Sequence, residues 1–118
     1  MTSSASSAST FDRVQLNNST DDALLVSGAA NVHITNRILS TNKEDGLHIA
    51  AGASGNVVVA NCLFWGNGWP SQGSALWVEA NAINLVNTIV TANRGGLDCS
   101  VSCSNSHNIV WGNLTDYV

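Results

Sequence analysis

Short runs in which apolar and polar residues alternate recur along the chain at nearly constant spacing. Asn56 to Asn67 reads NVVVANCLFWGN, Asn31 to Asn42 reads NVHITNRILSTN, Ala82 to Asn93 reads AINLVNTIVTAN, and a shorter copy, HNIVWGN, ends at Asn113. Setting Asn18, Asn42, Asn67, Asn93 and Asn113 in one column gives spacings of 24, 25, 26 and 20 residues, a period that few single-domain folds produce. Three apolar columns then fall into line: Val32, Val57 and Ile83; Ile34, Val59 and Leu85; and Val14, Ile38, Leu63, Ile89 and Ile109. Residues two apart share one side of a strand, so these columns are expected to face inward, with Leu63 in the core of the middle coil.

A second strand is predicted after each asparagine, carried by Leu24 and Val26, Leu47 and Ile49, Leu76 and Val78, and Leu97 and Cys99. Between these inward pairs stand Leu25, His48, Trp77 and Asp98, which should stack as one outward column. β-Branched residues, two-residue alternation and runs of about five residues between Gly, Asn and Asp argue against helices. The reading is all-β, a β-solenoid of about five coils. An inward-turned Asn at a bend can bond its own coil and the next Asn above, forming a ladder; the alternative is a set of exposed turn residues in the left-handed conformation. Asn18 and Asn113 also begin NST and NLT, nominal glycosylation acceptors; a place in a buried ladder argues against a glycan on either.

Composition narrows the function. Charged residues make up 10% of 118, the net charge is −4 and there are four basic residues in all. Nucleic acid and anionic membrane surfaces need clustered Lys and Arg and are excluded as partners. No apolar run approaches the roughly 20 residues that span a bilayer. Residues 1–9 read as a flexible or capping Ser/Ala-rich lead, and 10–118 as a single domain. The start lacks the basic and apolar regions of a secretory signal, so the chain is expected to be part of a longer exported protein, extracellular or on the cell surface. Cys62, Cys99 and Cys103 form no zinc pattern; Cys99 and Cys103 can either pair across SerValSer or remain two buried thiols.

Two groups of residues carry candidate chemistry. Asp21, Asp22, Glu44 and Asp45 fall in register on neighbouring coils, about 4.8 Å apart, where repulsion favours either Ca²⁺ or raised pKa values; the alternative is a solvated turn. Trp77 lies between His48 and Asp98, and Trp69 sits in the insertion that lengthens the third coil. Aromatic faces beside His, Asn and Asp suit sugar stacking; alternatively, Trp77 covers its own sheet and Trp69 anchors its loop. Trp65 and Trp111 occupy equivalent places, with Thr91 between them. His33, His48 and His107 have no metal-ligand spacing, and no GxSxG marks a serine hydrolase.

The copies NVHITNRILSTNKEDGLHI and NTIVTANRGGLDC resemble right-handed parallel β-helix proteins of the pectate-lyase-like superfamily over residues 10–113. NCLFWGN, NTIVTANRGGLDC and NIVWGN resemble repeats of large exported or surface-anchored bacterial proteins. The resemblance implies a right-handed β-helix and a carbohydrate partner, since members include polysaccharide lyases, galacturonan hydrolases, epimerases, tailspikes and adhesive passengers. EDGLHI, at Glu44 to Ile49, matches the start of the galacturonan hydrolase pattern, but no second Asp pair, His-Gly or Arg-x-Lys follows. Arg13, Arg37, Lys43 and Arg94, the only basic candidates for lyase chemistry, stand in no matching motif. The expectation is therefore a non-catalytic scaffold or carbohydrate-binding module, with a polysaccharide lyase or hydrolase, or a self-assembling unit, as alternatives. An uncapped solenoid exposes strand edges at each terminus, so end-to-end self-association through Leu114 to Val118 or Val14 to Leu16 is also expected.

Overall fold

A computed structural model describes residues 2–3, 8–13, 15–28, 31–79, 83–99 and 103–117. After β1 (Thr2–Ser3) the chain repeats three strands per coil. These are β2 (Ala8–Asp12), β3 (Gln15–Asn17) and β4 (Leu24–Val26), then β5 (Asn31–Thr35), β6 (Ile38–Ser40) and β7 (Leu47–Ile49). β8 (Val57–Ala60), β9 (Leu63–Trp65) and β10 (Ser74–Val78) form the middle coil. β11 (Ile83–Val86), β12 (Ile89–Thr91) and β13 (Gly95–Cys99) come next, followed by β14 (Cys103–Ser106), β15 (Ile109–Trp111) and β16 (Thr115–Tyr117). Every pairing is parallel and joins a strand to its equivalent one coil away. Three sheets result, ordered β1-β4-β7-β10-β13-β16, β14-β11-β8-β5-β2 and β15-β12-β9-β6-β3. The molecule is a parallel β-solenoid, as its repeat predicts. The Ser/Ala-rich start, expected as a lead, contributes β1 and β2: Thr2 registers with Leu25, and Ala8 with Asn31.

Two of the three apolar columns point inward. Val32, Val57 and Ile83 are buried, as are Ile34, Val59 and Leu85, and on the six-stranded sheet so are Leu24, Val26, Leu47, Ile49, Leu76, Val78 and Leu97. The third column is shifted by one residue. Ile38 is 42% exposed, Ile89 42% and Ile109 58%, while Leu39, Phe64 and Val90 are buried in their place; Val14 lies outside the described residues. The cause is the bend. Asn36, Asn61, Asn87 and His107 adopt positive φ, as does Arg13 in the first coil, and each inserts one left-handed residue between strands. A side-chain period of two reverses its face with one extra residue, so Arg37, Cys62 and Thr88 turn inward and Leu63 turns outward.

A second left-handed column, at Asn18, Thr41, Gly66, Ala92 and Gly112, marks the bend before the six-stranded sheet. The residues immediately after it build the asparagine ladder. Asn42 Nδ2 donates to Asn67 Oδ1 (2.8 Å), Asn67 Nδ2 to Asn93 Oδ1 (2.9 Å) and Asn93 Nδ2 to Asn113 Oδ1 (2.9 Å). Each Oδ1 also accepts the backbone N–H of the preceding coil's residue. Asn67 and Asn93 also donate to a backbone carbonyl of the preceding coil, Asn67 to Leu39 at 2.8 Å and Asn93 to Phe64 at 3.0 Å. Asn18 does not belong. It is exposed, at φ 56°, and accepts from Thr41 Oγ1, while Ser19 takes the ladder place by donating its N–H to Asn42 Oδ1 at 2.9 Å. A place in the ladder, with Oδ1 and Nδ2 both engaged, therefore argues against a glycan only at Asn113.

Candidate functional site

The outer side of the six-stranded sheet collects most of the candidate residues. Leu25, His48, Trp77 and Asp98 stand in register across β4, β7, β10 and β13, half-buried. His48 and Trp77 stack at a centroid distance of 4.2 Å and an interplanar angle of 15°. The flanking pair Leu24 and Val26, with Leu47 and Ile49 above it, packs inward, so alternation alone drives the four intervening side chains out.

Just before this column the backbone carries carboxylates. Asp22 Oδ1 accepts the N–H of Asp45 (3.0 Å), and Asp45 Oδ1 accepts the N–H of Ser74 (2.5 Å). Asp22 Oδ2 lies 3.0 Å from His48 Nδ1, and Glu79 Oε1 lies 2.6 Å from His48 Nε2. The imidazole is thus held between carboxylates of two other coils. Burial alone would lower its pKa, but the hydrogen bonds to Glu79 and Asp22 outweigh it and the pKa is raised. In the charged form both ring nitrogens donate. Asp45 is 5% exposed, and burial, reinforced by Asp22 and Glu44, pushes its carboxyl up to about 7 against the donated N–H of Ser74.

Asp22, Asp45 and His48 present ligand-type atoms within 4.8 Å of one another. Of the four carboxylates expected to crowd together, only Asp22 and Asp45 enter this cluster. Asp21 is exposed, and Glu44 lines a cleft with Asp45, Trp77 and Asp98. That cleft, of about 230 Å³, is also lined by Gln72, Gly73 and Ser74, where the third-coil insertion returns. A Cβ on Gly73 would run into the backbone of Glu44, so the close return needs glycine. A second cleft of about 210 Å³ shares Gln72, Ser74 and Asp98 with the first and adds Arg94, Gly95, Leu114 and Thr115. The two clefts adjoin along these shared residues and draw their lining from successive coils.

Trp69 is not among the residues lining either cleft. It is 47% exposed, and the Arg94 guanidinium sits 5.6 Å above its ring. Glu79, Gln72 and Ser74 were not foreseen from sequence. Glu79 reaches His48 diagonally, across a register in which His48 itself faces Trp77, so column alignment alone passes over it. Cys99 and Cys103 are joined by a disulfide, their Cα atoms 6.3 Å apart, and Cys62 is a free buried thiol.

A family model described as a right-handed beta helix region matches residues 3–115. No curated protein and no solved structure matches the chain. With nearly the whole length covered, and parallel strands stacked coil on coil around an asparagine ladder, this chain belongs to the right-handed β-helix family.

Proposed function

We propose that the chain is a non-catalytic β-helical module that holds a polysaccharide against the outer side of its six-stranded sheet. The observation that carries this reading is the pair of adjoining clefts, sharing Gln72, Ser74 and Asp98, with Trp77 in one and Arg94 in the other. Each is smaller than the roughly 300–1,000 Å³ of sites that enclose a small molecule. A groove of joined shallow clefts suits an extended chain lying across the coils, with the indole supplying apolar contact and the polar side chains hydroxyl recognition. The disulfide supports placement outside the reducing cytosol.

A second reading, a glycoside hydrolase, is favoured by Asp45. A carboxyl that burial pushes up to about 7 can hold a proton for a leaving group near neutral pH, with Glu44 as an acidic neighbour in the same cleft. Both readings meet one experiment: acidic and neutral polysaccharides, with and without Ca²⁺, assayed for retention and for turnover. The module reading expects retention without new reducing ends or unsaturated product, and at least tenfold weaker retention for Trp77→Ala. Turnover that disappears in Asp45→Asn would establish the hydrolase instead, and a Ca²⁺ requirement lost in the same variant would give the Asp22–Asp45 pair a metal.

A further inference from the structure

The shifted third column has a consequence on the opposite side of the coil. Ile38, Leu63, Ile89 and Ile109 stand in register on the outer face of the sheet formed by β3, β6, β9, β12 and β15. Trp65 and Trp111 stand two residues further along their strands, 48% and 73% exposed. The other outward register positions of this sheet are Gln15, Asn17, Ser40 and Thr91, so no outward position carries a charge. Scattered exposed apolar residues are ordinary, but a contiguous apolar strip without charge marks a contact surface.

We propose that a second copy of this chain docks on that strip, sheet face to sheet face. Electrostatics selects the occupant. The chain carries a net charge of −4, with Asp22, Glu44, Asp45, Glu79 and Asp98 gathered at the groove of the six-stranded sheet; two copies meeting on the uncharged sheet keep these acids apart. Area agrees. The exposures of Ile38, Trp65, Ile89, Ile109 and Trp111 correspond to roughly 600 Å² per copy, so a symmetric pair buries on the order of 1,200 Å², the lower bound for a stable specific interface. A two-fold arrangement presents the same strip from both copies, matching Ile to Ile and indole to indole across two facing sheets. The groove stays open on each copy, so the dimer would display two parallel or opposed binding faces.

Sedimentation velocity over a concentration series tests this. The expected result is a monomer–dimer equilibrium in which Ile89→Lys, at the centre of the strip, leaves monomer at every concentration while keeping the native circular dichroism. Trp65→Ser should weaken the dimer at least tenfold, and it carries the test should Ile89→Lys not fold. Tyr117→Lys, at the end of the last coil, should leave the dimer intact. A native chain that stays monomeric throughout overturns the proposal. So does association that survives both strip variants and is lost in Tyr117→Lys, which would place contact at the coil ends. Capture of a strictly monomeric chain on an insoluble polysaccharide through Trp65 would overturn it too, and assign the strip to carbohydrate.

Discussion

Two polar columns run side by side up the solenoid, and they satisfy the same need with different chemistry. In one, Asn42, Asn67, Asn93 and Asn113 each accept a backbone N–H from the coil before, and Asn42, Asn67 and Asn93 donate to the coil after. In the other, Asp22 and Asp45 accept the backbone N–H of the following coil, from Asp45 and Ser74. An amide both donates and accepts, so it can repeat indefinitely; a carboxylate only accepts, so its column needs fresh donors and stops. The asparagine column ends where this rule predicts. Asp116 Oδ1 accepts from both Asn113 N (3.0 Å) and Asn113 Nδ2 (2.9 Å) and can pass nothing on. The neutral column is buried at Asn42, Asn67 and Asn93, whereas the acidic one leaves a second oxygen on Asp22 to engage His48 and brings Asp45 to the cleft. Structure is built from the first and candidate chemistry from the second.

The sharpest way to break this comparison is to make the neutral column acidic. Asn67→Asp keeps the acceptor for Asn42 but loses donors to Leu39 O and Asn93 Oδ1 and buries a charge. The expected loss is about 3–5 kcal/mol at neutral pH, read by urea denaturation, and it should shrink at acid pH where the carboxyl is protonated. An unchanged midpoint would place Asn67 outside the ladder. Asn67→Ala, which removes the acceptor for Asn42 as well as both donated bonds but adds no charge, should lose about 1–3 kcal/mol.

The reverse exchange should stabilise. Because the folded pKa of Asp45 is raised to about 7 from 3.8, its neutral form favours folding: the contribution is full below about pH 4 and is lost as pH rises through about 7. Asp45→Asn retains an oxygen for Ser74 N–H and cannot ionise. It should therefore be more stable than the native chain by about 2–4 kcal/mol at pH 8 and nearly equal to it at pH 4. Identical pH profiles for the two proteins would mean that Asp45 titrates as an exposed acid.

Smallest is the effect of Glu79 on His48. Glu79 is 30% exposed in its side chain, so Glu79→Gln should cost at most about 1 kcal/mol. Its clearer signature is the His48 titration by NMR. The raised folded pKa means that the stability from His48 is present below the unfolded value and lost as pH rises through the folded one; Glu79→Gln should move that loss to lower pH. A His48 titration indifferent to Glu79 would leave Asp22 as the sole partner.

Much of this was legible along the chain because a solenoid repeats its instructions. Each coil meets only its neighbours, so the same residue types return at the same positions and can be aligned without knowing the fold. The inward columns Val32–Val57–Ile83 and Leu24–Leu47–Leu76, the outward column with Trp77 between His48 and Asp98, and the asparagine ladder could be read in this way. The third column could not. Its alignment was right coil to coil, yet its direction depended on whether the bend at Asn36, Asn61 and Asn87 used an extended or a left-handed residue. Asparagine tolerates both.

Sequence by itself determined the repeat and the parallel strands, because those follow from local alternation; it offered the amide column as one of two readings of the aligned asparagines, and the structure chose the ladder for Asn42, Asn67, Asn93 and Asn113 but not for Asn18. Tertiary structure alone decided which face Leu63 and Phe64 occupy, since one left-handed residue reverses every side chain after it. It also brought Glu79 diagonally to His48 and folded Gln72 and Ser74 over Asp45. These contacts join residues far apart in sequence at different positions of their coils, and no periodicity in the chain encodes them.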